Sequence, residues 1–521
     1  MVTYRQLWAA DPAAWRRAGA AWQRAGELVG RRGAEVSDTA AALRSHWSSP
    51  AGRAADTVLG RVRVRLHAGR PALVEADQIL AEHASRVAQA KAMLDVAVTS
   101  AAALGVLVDR DGRTFPDPSA PRPDQAAAAH RIRAEITAAL GLAAAADRET
   151  TRRLGDLAAA AVADWPVEPP PSRPSPHADP GTVRGWWAGL TEAQRRWLVL
   201  HEPALIGRLD GVPVAARDQA NRLLLAHHRA ALGHHRQPGR GRRADGALAG
   251  LHAIEAQLTA DAGPRAYLLG LDPAGDGRVI VAIGNPDRAD NVLTYVPGMT
   301  SDLASAGGEL TRVLRVARRC AELGPTEQTA AVLWLDYDAP DFVHEAFRAS
   351  YAHDAGPALH RFQEGLRATH DGPPAHQTVL GHSYGSLVVG ATAREHGLAA
   401  DSLVFVGSPG VGVDHADELG VAPGQVWSST ARNDIIQYAA PSLDQALERL
   451  GLGVTPLLAP LFALRSHDEL WFGQNPSHPG FGGRVFHSDP HGHTGYWEPG
   501  NAALDGMARI ALGGDHQRAV R

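Results

Sequence analysis

At 521 residues the chain is long enough for two or three domains and at least one large core. Its formal net charge of −4 is small for that length and argues against nucleic acid or an anionic membrane surface as the main partner. A single cysteine, Cys320, excludes an intramolecular disulfide and, set late in a helical pattern, reads as a small core residue.

The first ten residues hold Arg5 and two aromatics but no apolar run of signal-peptide length, so no Sec-type leader is expected. The longest apolar run, 96–108, is shorter than a bilayer span, so no transmembrane segment is expected. The corresponding locations are the cytoplasm or export by a signal-less, type VII-like system.

Residues 1–163 read as an all-α helical domain. Trp8, Trp15, Ala18, Trp22, Ala25 and Val29 recur at spacings of three, four and seven, which predicts an amphipathic helix. The break at His46-Trp47-Ser48-Ser49-Pro50-Ala51-Gly52 predicts a turn, with Ser48 or Ser49 as N-cap and Pro50 early in the next helix. That helix runs to about 107. Asp109-Arg110-Asp111-Gly112 is a turn signal, and a third helical stretch covers 124 to about 161. The long helices around Trp47 and Gly52 resemble the WXG-type hairpins handled by specialised secretion in actinobacteria, although the spacing here is Trp-x-x-x-x-Gly. The resemblance implies a helical-hairpin protein as a partner. The alternative from the residues alone is a plain helical bundle with tryptophans in its core.

Residues 164–182 form a linker. Pro169, Pro170, Pro171, Pro174, Pro176 and Pro180 make it extended and semi-rigid. Residues 183–262 read as a helical segment packing beside the domain that follows. Within it, His227-His228 and His234-His235 lack carboxylate or cysteine at ligand spacing and read as a solvated loop rather than a metal site.

From 263 to 521 the period changes. Eight β-branched-rich segments are expected as strands: 265–271, 278–283, 291–296, 331–335, 377–380, 402–406, 425–429 and 484–487. The first two are close enough for an antiparallel hairpin, and most later connections have room for crossover helices. The fold class expected is α/β: an eight-stranded, mostly parallel sheet with helices on both faces, the α/β-hydrolase fold, preceded by the all-α domain.

After the fifth strand comes Gly381-His382-Ser383-Tyr384-Gly385, a Gly-x-Ser-x-Gly turn between strand and helix. The tight turn leaves no room for a Cβ at Gly381 or Gly385 and holds Ser383 in a strained backbone with its Oγ exposed, the nucleophile elbow. The strings Val183-Arg184-Gly185-Trp186-Trp187, Glu202-Pro203, Arg217-Asp218 and Asn221-Arg222, together with this turn, are similar to the actinobacterial α/β-hydrolases catalogued as domain-of-unknown-function family 1023. The resemblance spans 183 to the C-terminus. It implies the fold and leaves the substrate open.

A serine nucleophile needs a base and an orienting acid, in the chain order Ser, Asp or Glu, His. Asp434 after the seventh strand is the expected acid, with Asp414 and Asp417 after the sixth as rivals. His493 in His487-Ser488-Asp489-Pro490-His491-Gly492-His493 is the expected base, with His491 and His487 as rivals. The same alternating His/Asp run would suit a divalent metal, but the elbow makes a metal redundant, and no metal or cofactor is expected. The oxyanion hole should take the backbone N–H of Tyr384 and one from Pro297-Gly298-Met299-Thr300, assigned to Met299 with Gly298 and Thr300 as rivals. The apolar, aromatic stretch 436–482 reads as a lid or acyl-binding wall, or as an ordinary crossover. Together these predict a serine hydrolase acting on a small-molecule or lipid-like carboxylic ester. The alternative is a secretion-linked interaction or effector protein whose hydrolase domain is an acyltransferase, a thioesterase or an inert passenger.

Overall fold

A computed structural model describes residues 2–119, 121–162, 169–170, 172–234, 242–342, 345–346, 348–438, 469–517 and 520. Two compact units result. One comprises Met1–Ser172, Leu190–Pro203 and Leu258–Arg265; the other comprises Arg173–Gly189, Ala204–Gln257 and Ala266–Arg521. Among the described residues, no helix is long and apolar enough to cross a membrane.

The first unit is built on long helices: α1 (Tyr4–Ala9), α2 (Pro12–His46), α3 (Pro50–Ala103) and, after a small hairpin, α4 (Gln125–Val162). Ser49 is the N-cap of α3, its hydroxyl accepting from the Gly52 amide, and Pro50 opens the helix where a missing N–H does no harm. The turn is tight enough that a Cβ on Gly52 would lie 2.3 Å from the Trp47 carbonyl oxygen. The turn at Asp109 closes a short antiparallel hairpin, β1 (Val106–Val108) with β2 (Thr114–Pro116). Asp109 Oδ1 accepts from the amides of Asp111 and Arg113, and Gly112 takes φ +81°. The sequence signalled that turn but not its strands, which are three residues each. Leu7, Val87, Leu94, Ile132 and Ile136 form the core.

The tryptophan stripe does not enter that core. Trp8, Trp15 and Trp22 are 48%, 42% and 48% exposed, whereas Gly19, Ala20, Gln23 and Gly26 are buried. Small residues allow the helix axes to approach closely: a Cβ on Gly19 would meet Asp77 Oδ1 at 2.9 Å. Close approach on the glycine face therefore sets the rotation of α2.

Asp77 is buried between two arginines, Arg16 (Nη1 to Oδ1, 2.9 Å) and Arg265 (Nε to Oδ2, 2.6 Å). Truncating the acid leaves two buried cations uncompensated. Asp77→Ala should cost about 3–5 kcal/mol in chemical denaturation, and a loss below 1 kcal/mol would contradict this account.

Helices α5 (Pro180–Ala188), α6 (Glu192–His201), α7 (Pro203–Ile206), α8 (Val214–His234) and α9 (Arg242–Leu258) come next; α6 belongs to the first unit. The expectation of a loop at His227 and His228 is corrected, since both lie inside α8, where Leu223 and Leu225 bury an apolar face. His235 lies outside the described residues.

The second unit carries one eight-stranded sheet: β3 (Ala266–Asp272), β4 (Arg278–Ile283), β5 (Asn291–Val296), β6 (Thr329–Leu335), β7 (His376–His382), β8 (Ser402–Val406), β9 (Val426–Ser429) and β12 (Arg484–Val485). A separate two-residue pair, β10 (Glu469–Leu470) and β11 (Gly473–Gln474), precedes β12. The order across the sheet is β12-β9-β8-β7-β5-β6-β4-β3. β4 is antiparallel to both its neighbours and every other pairing is parallel. This is the mostly parallel α/β-hydrolase sheet expected from the strand pattern. Helix α10 (Ala306–Leu323) packs with α13 (Ala502–Leu512), and α11 (Ser350–Thr369) packs with α12 (Tyr384–Glu395). Central strands buried on both faces read as continuous apolar runs, as in β6 and β8.

The edge strand β3 is covered by α8. Arg217 donates to the Leu269 carbonyl, Asn221 to Leu268 and Arg222 to Ala266, while Asp218 accepts from the Leu268 amide. The exposed ladder groups of an edge are thereby satisfied by side chains instead of another strand. This accounts for the Arg217-Asp218 and Asn221-Arg222 pairs.

Candidate active site

β7 ends at His382 and α12 begins at Tyr384, so Ser383 alone makes the turn. It sits at φ +53°, ψ −128°, a region that non-glycine residues avoid. Its amide donates to the Val406 carbonyl of β8 (3.0 Å), and its carbonyl accepts from Ser386 (2.9 Å). A Cβ on Gly381 would lie 2.6 Å from the Gly385 oxygen, and one on Gly385 would lie 2.3 Å from the Val296 oxygen. Both glycines are required by the backbone crowding anticipated from the motif.

The loop after β5 closes on the serine. A Cβ built on Gly298 would stand 2.7 Å from Ser383 Cβ and 3.2 Å from its Oγ, so only glycine brings the backbone this near. Tyr337 anchors the loop by donating to the Pro297 carbonyl (2.6 Å). The Thr300 amide is already given to the Pro340 carbonyl (2.8 Å). Of the rivals in this loop, Thr300 therefore has no free donor.

Asp434 follows β9 and is fully buried. Its carboxylate accepts from His493 Nδ1 (2.9 and 3.0 Å to its two oxygens), from the Ile436 amide (2.9 Å) and from the Tyr496 hydroxyl. Burial alone would raise its pKa. The hydrogen bond and charge of His493, with the Tyr496 and Ile436 donors, outweigh that and hold the carboxyl below its usual range. With Nδ1 facing an ionised carboxylate, the imidazole carries its proton there and leaves Nε2 as the basic nitrogen. A Cβ on Gly407, which takes φ +55°, would meet Asp434 Oδ2 at 2.9 Å and His493 Nδ1 at 3.2 Å.

The three histidines of the last loop separate by partner. His493 meets Asp434, His491 meets Glu498 (2.9 Å) and His487 lies 3.6 Å from Asp489. The rival acid Asp414 accepts from the Gln474 amide of β11, and Asp417 is exposed in a one-turn helix. Among the described residues, no group of three or more His, Cys, Asp or Glu side chains is placed to hold a metal.

Several supporting residues escaped the sequence reading. Tyr496 donates to Asp434 while its oxygen accepts from the Ala431 amide (2.9 Å), tying acid, loop and strand end together. Asn433 bridges the two loops, donating to the Pro490 carbonyl and accepting from the Gly492 amide beside His493. His382, next to the serine, donates from Nε2 to the His493 carbonyl (2.9 Å), its ring 4.9 Å from those of His493 and Trp497. Complete burial, reinforced by the charges of His493 and Arg312, keeps His382 well below the usual histidine pKa, hence neutral. Their chain neighbours were visible in the motif, but nothing in the sequence indicated these bonds across some 60 to 110 residues.

Of the stretch read as a lid, 439–468 lies outside the described residues. Phe472, from its described part, packs edge-on against Tyr384 at 6.1 Å and pairs through its backbone with Pro409 and Gly412.

A family model described as Alpha/beta hydrolase matches residues 272–445. Uncharacterized protein Rv2079 of Mycobacterium tuberculosis is 32% identical over 390 residues, covering 67% of this chain and 58% of its own length. The chain thus spans little more than half of that relative. Uncharacterized protein Mb0988c of Mycobacterium bovis is 34% identical over 204 residues, covering 37% of this chain and 76% of its own. Among solved structures, S-formylglutathione hydrolase (FrmB) from Staphylococcus aureus aligns at TM-score 0.26 and 12% identity, over 48% of this chain and 98% of its own. Esterase LipW from Mycobacterium marinum aligns at 0.23 and 14%, over 44% and 78%. At such scores nothing about activity transfers.

Proposed function

For a chain that belongs to the α/β-hydrolase family, we propose the activity of a serine hydrolase cleaving carboxylic esters, with Ser383, His493 and Asp434 as its triad. Ser383 Oγ attacks the ester carbonyl as His493 Nε2 takes the hydroxyl proton. The tetrahedral oxyanion is held by the backbone N–H groups of Met299 and Tyr384. Collapse expels the alcohol, which receives the proton from His493. Water, deprotonated by the same imidazole, then attacks the acyl-enzyme and releases the acid, returning the proton to Ser383. Asp434 orients the imidazole and stabilises its charged form. The reaction requires no cofactor.

The observation that carries this reading is the His493–Asp434 pair, placed beside the strand ends where Ser383 is held in its strained turn. A fluorophosphonate probe tests it. Wild type should be labelled stoichiometrically and Ser383→Ala not at all; equal labelling of the two would remove serine chemistry from consideration.

The exposed tryptophan face of α2 favours a second reading, in which the helical region docks a partner hairpin. A concentration-dependent shift in mass with a candidate helical hairpin, lost when Trp15 and Trp22 are changed to serine, would support it.

A further inference from the structure

The first unit contains a cavity of about 740 Å³ lined entirely by its own helices. This is within the range of ~300–1,000 Å³ that small-molecule sites occupy. Val29 and Ala34 of α2 form one wall and Trp197 and Leu200 of α6 another. Along α3 stand Arg63, His67 and Arg70, spaced four and three residues apart and so stacked on one helix face.

We propose that this cavity binds an amphiphilic anion of the long-chain carboxylate class, its tail among the apolar walls and its carboxylate on Arg63 and Arg70. Charge supports the anion. Arg196, also at the cavity, is engaged by Glu192 at 3.1 Å and Glu75 at 3.9 Å. By contrast, neither Arg63 nor Arg70 has a carboxylate within ion-pair distance among the described residues, and Glu27 acts on Arg70 only from farther away. Arg63, His67 and Arg70 all line the cavity, and burial with the charges of Arg70 and Arg63 works to lower the pKa of His67.

The shape of α2 supports a built cavity. Glycine in a helix interior costs about 1 kcal/mol relative to alanine. At Gly30 there is a packing reason, because the Arg70 guanidinium lies across it, 2.9 Å from where a Cβ would be. At Gly33 there is none: an added Cβ would meet only Leu66 Cβ, at 3.9 Å. Gly33 lines the cavity, and a larger residue there would occupy it.

The test is calorimetric titration of the full chain with dodecanoate, below its micelle concentration, against dodecanol. Dodecanoate should bind saturably and at one site, about ten- to a hundred-fold more tightly than the alcohol. Arg70→Gln should weaken dodecanoate far more than dodecanol and so shrink that preference, Arg63 being left to hold the carboxylate. Gly33→Leu, which favours the helix, should weaken both ligands at least ten-fold, and if it fails to fold, Arg70→Gln decides alone. Binding should persist after Ser383 is blocked with a fluorophosphonate, which keeps this site distinct from any acyl pocket at the serine. Equal affinity for acid and alcohol, binding indifferent to Arg70→Gln, or loss of binding on blocking Ser383 would each overturn the proposal.

Discussion

Ser383→Ala is expected to lower kcat/KM for a short-chain aryl ester by on the order of 10⁵–10⁶, with residual activity above the uncatalysed rate. His493→Ala should cost about the same, and the double variant little more than either single one. The non-additivity follows from the chemistry. Once the oxygen nucleophile is gone there is no proton for the imidazole to accept, and without the imidazole the hydroxyl is a poor nucleophile. Both variants should fold. Ser383 occupies a turn whose geometry is imposed by Gly381, Gly385 and Gly298, so alanine inherits the backbone and relinquishes only Oγ. Unchanged steady-state rates in both variants would end the case for this triad. A full loss at Ser383 with no effect at His493 would move the base to another residue.

Asp434→Asn should lower kcat by about 10⁴ with little change in KM. An amide facing Nδ1 no longer selects the tautomer that leaves Nε2 basic, and it cannot stabilise the imidazolium. Tyr496→Phe supplies a milder companion with a distinct signature. The Tyr496 hydroxyl donates to Asp434 and favours its ionised form, so removing it raises the folded-state pKa of the acid. The sign is that of a depressed carboxylate. Its contribution is present above the unfolded value near 3.8 and is lost as pH falls through the lower folded value. In Tyr496→Phe the carboxylate should therefore contribute less stability near neutral pH, and its acid-induced loss, which starts at the same unfolded value, should be smaller and complete at higher pH than in wild type. An acid limb unmoved by the substitution would mean that Tyr496 packs against the loop without governing Asp434.

His382 is bound up with the same geometry. As a neutral, buried donor to the His493 carbonyl, it restrains the backbone of His493. That restraint adds to the orientation Asp434 imposes on the ring.

Much of the fold was legible because its determinants are local. β-branched runs with turn residues between them mark strands whatever they pair with, and all eight candidates took their places in one sheet. Boundaries shifted by no more than a residue or two at either end, as at the last strand, where only Arg484 and Val485 pair. The helical unit was less legible. Trp8, Trp15 and Trp22 have the spacing of a buried stripe, yet α2 turns its glycines inward. Hydrophobicity ranks the tryptophans for burial, but close packing against α3 selects the face with the least bulk.

The sequence by itself determined the elbow. Gly381, Ser383 and Gly385 follow from steric limits within five residues, and the expected order of acid and base follows from the chain order of the fold, with strand count pointing to where each should lie. Only the tertiary structure decided which histidine meets the acid. His491 and His493 are two residues apart in one loop, and Gly492, at φ +74° with its amide on Asn433, sends them to different carboxylates. The Tyr496 and His382 bonds join residues 62 and 111 positions apart. Contacts at that separation depend on how the sheet brings strand ends together, and no local pattern encodes them.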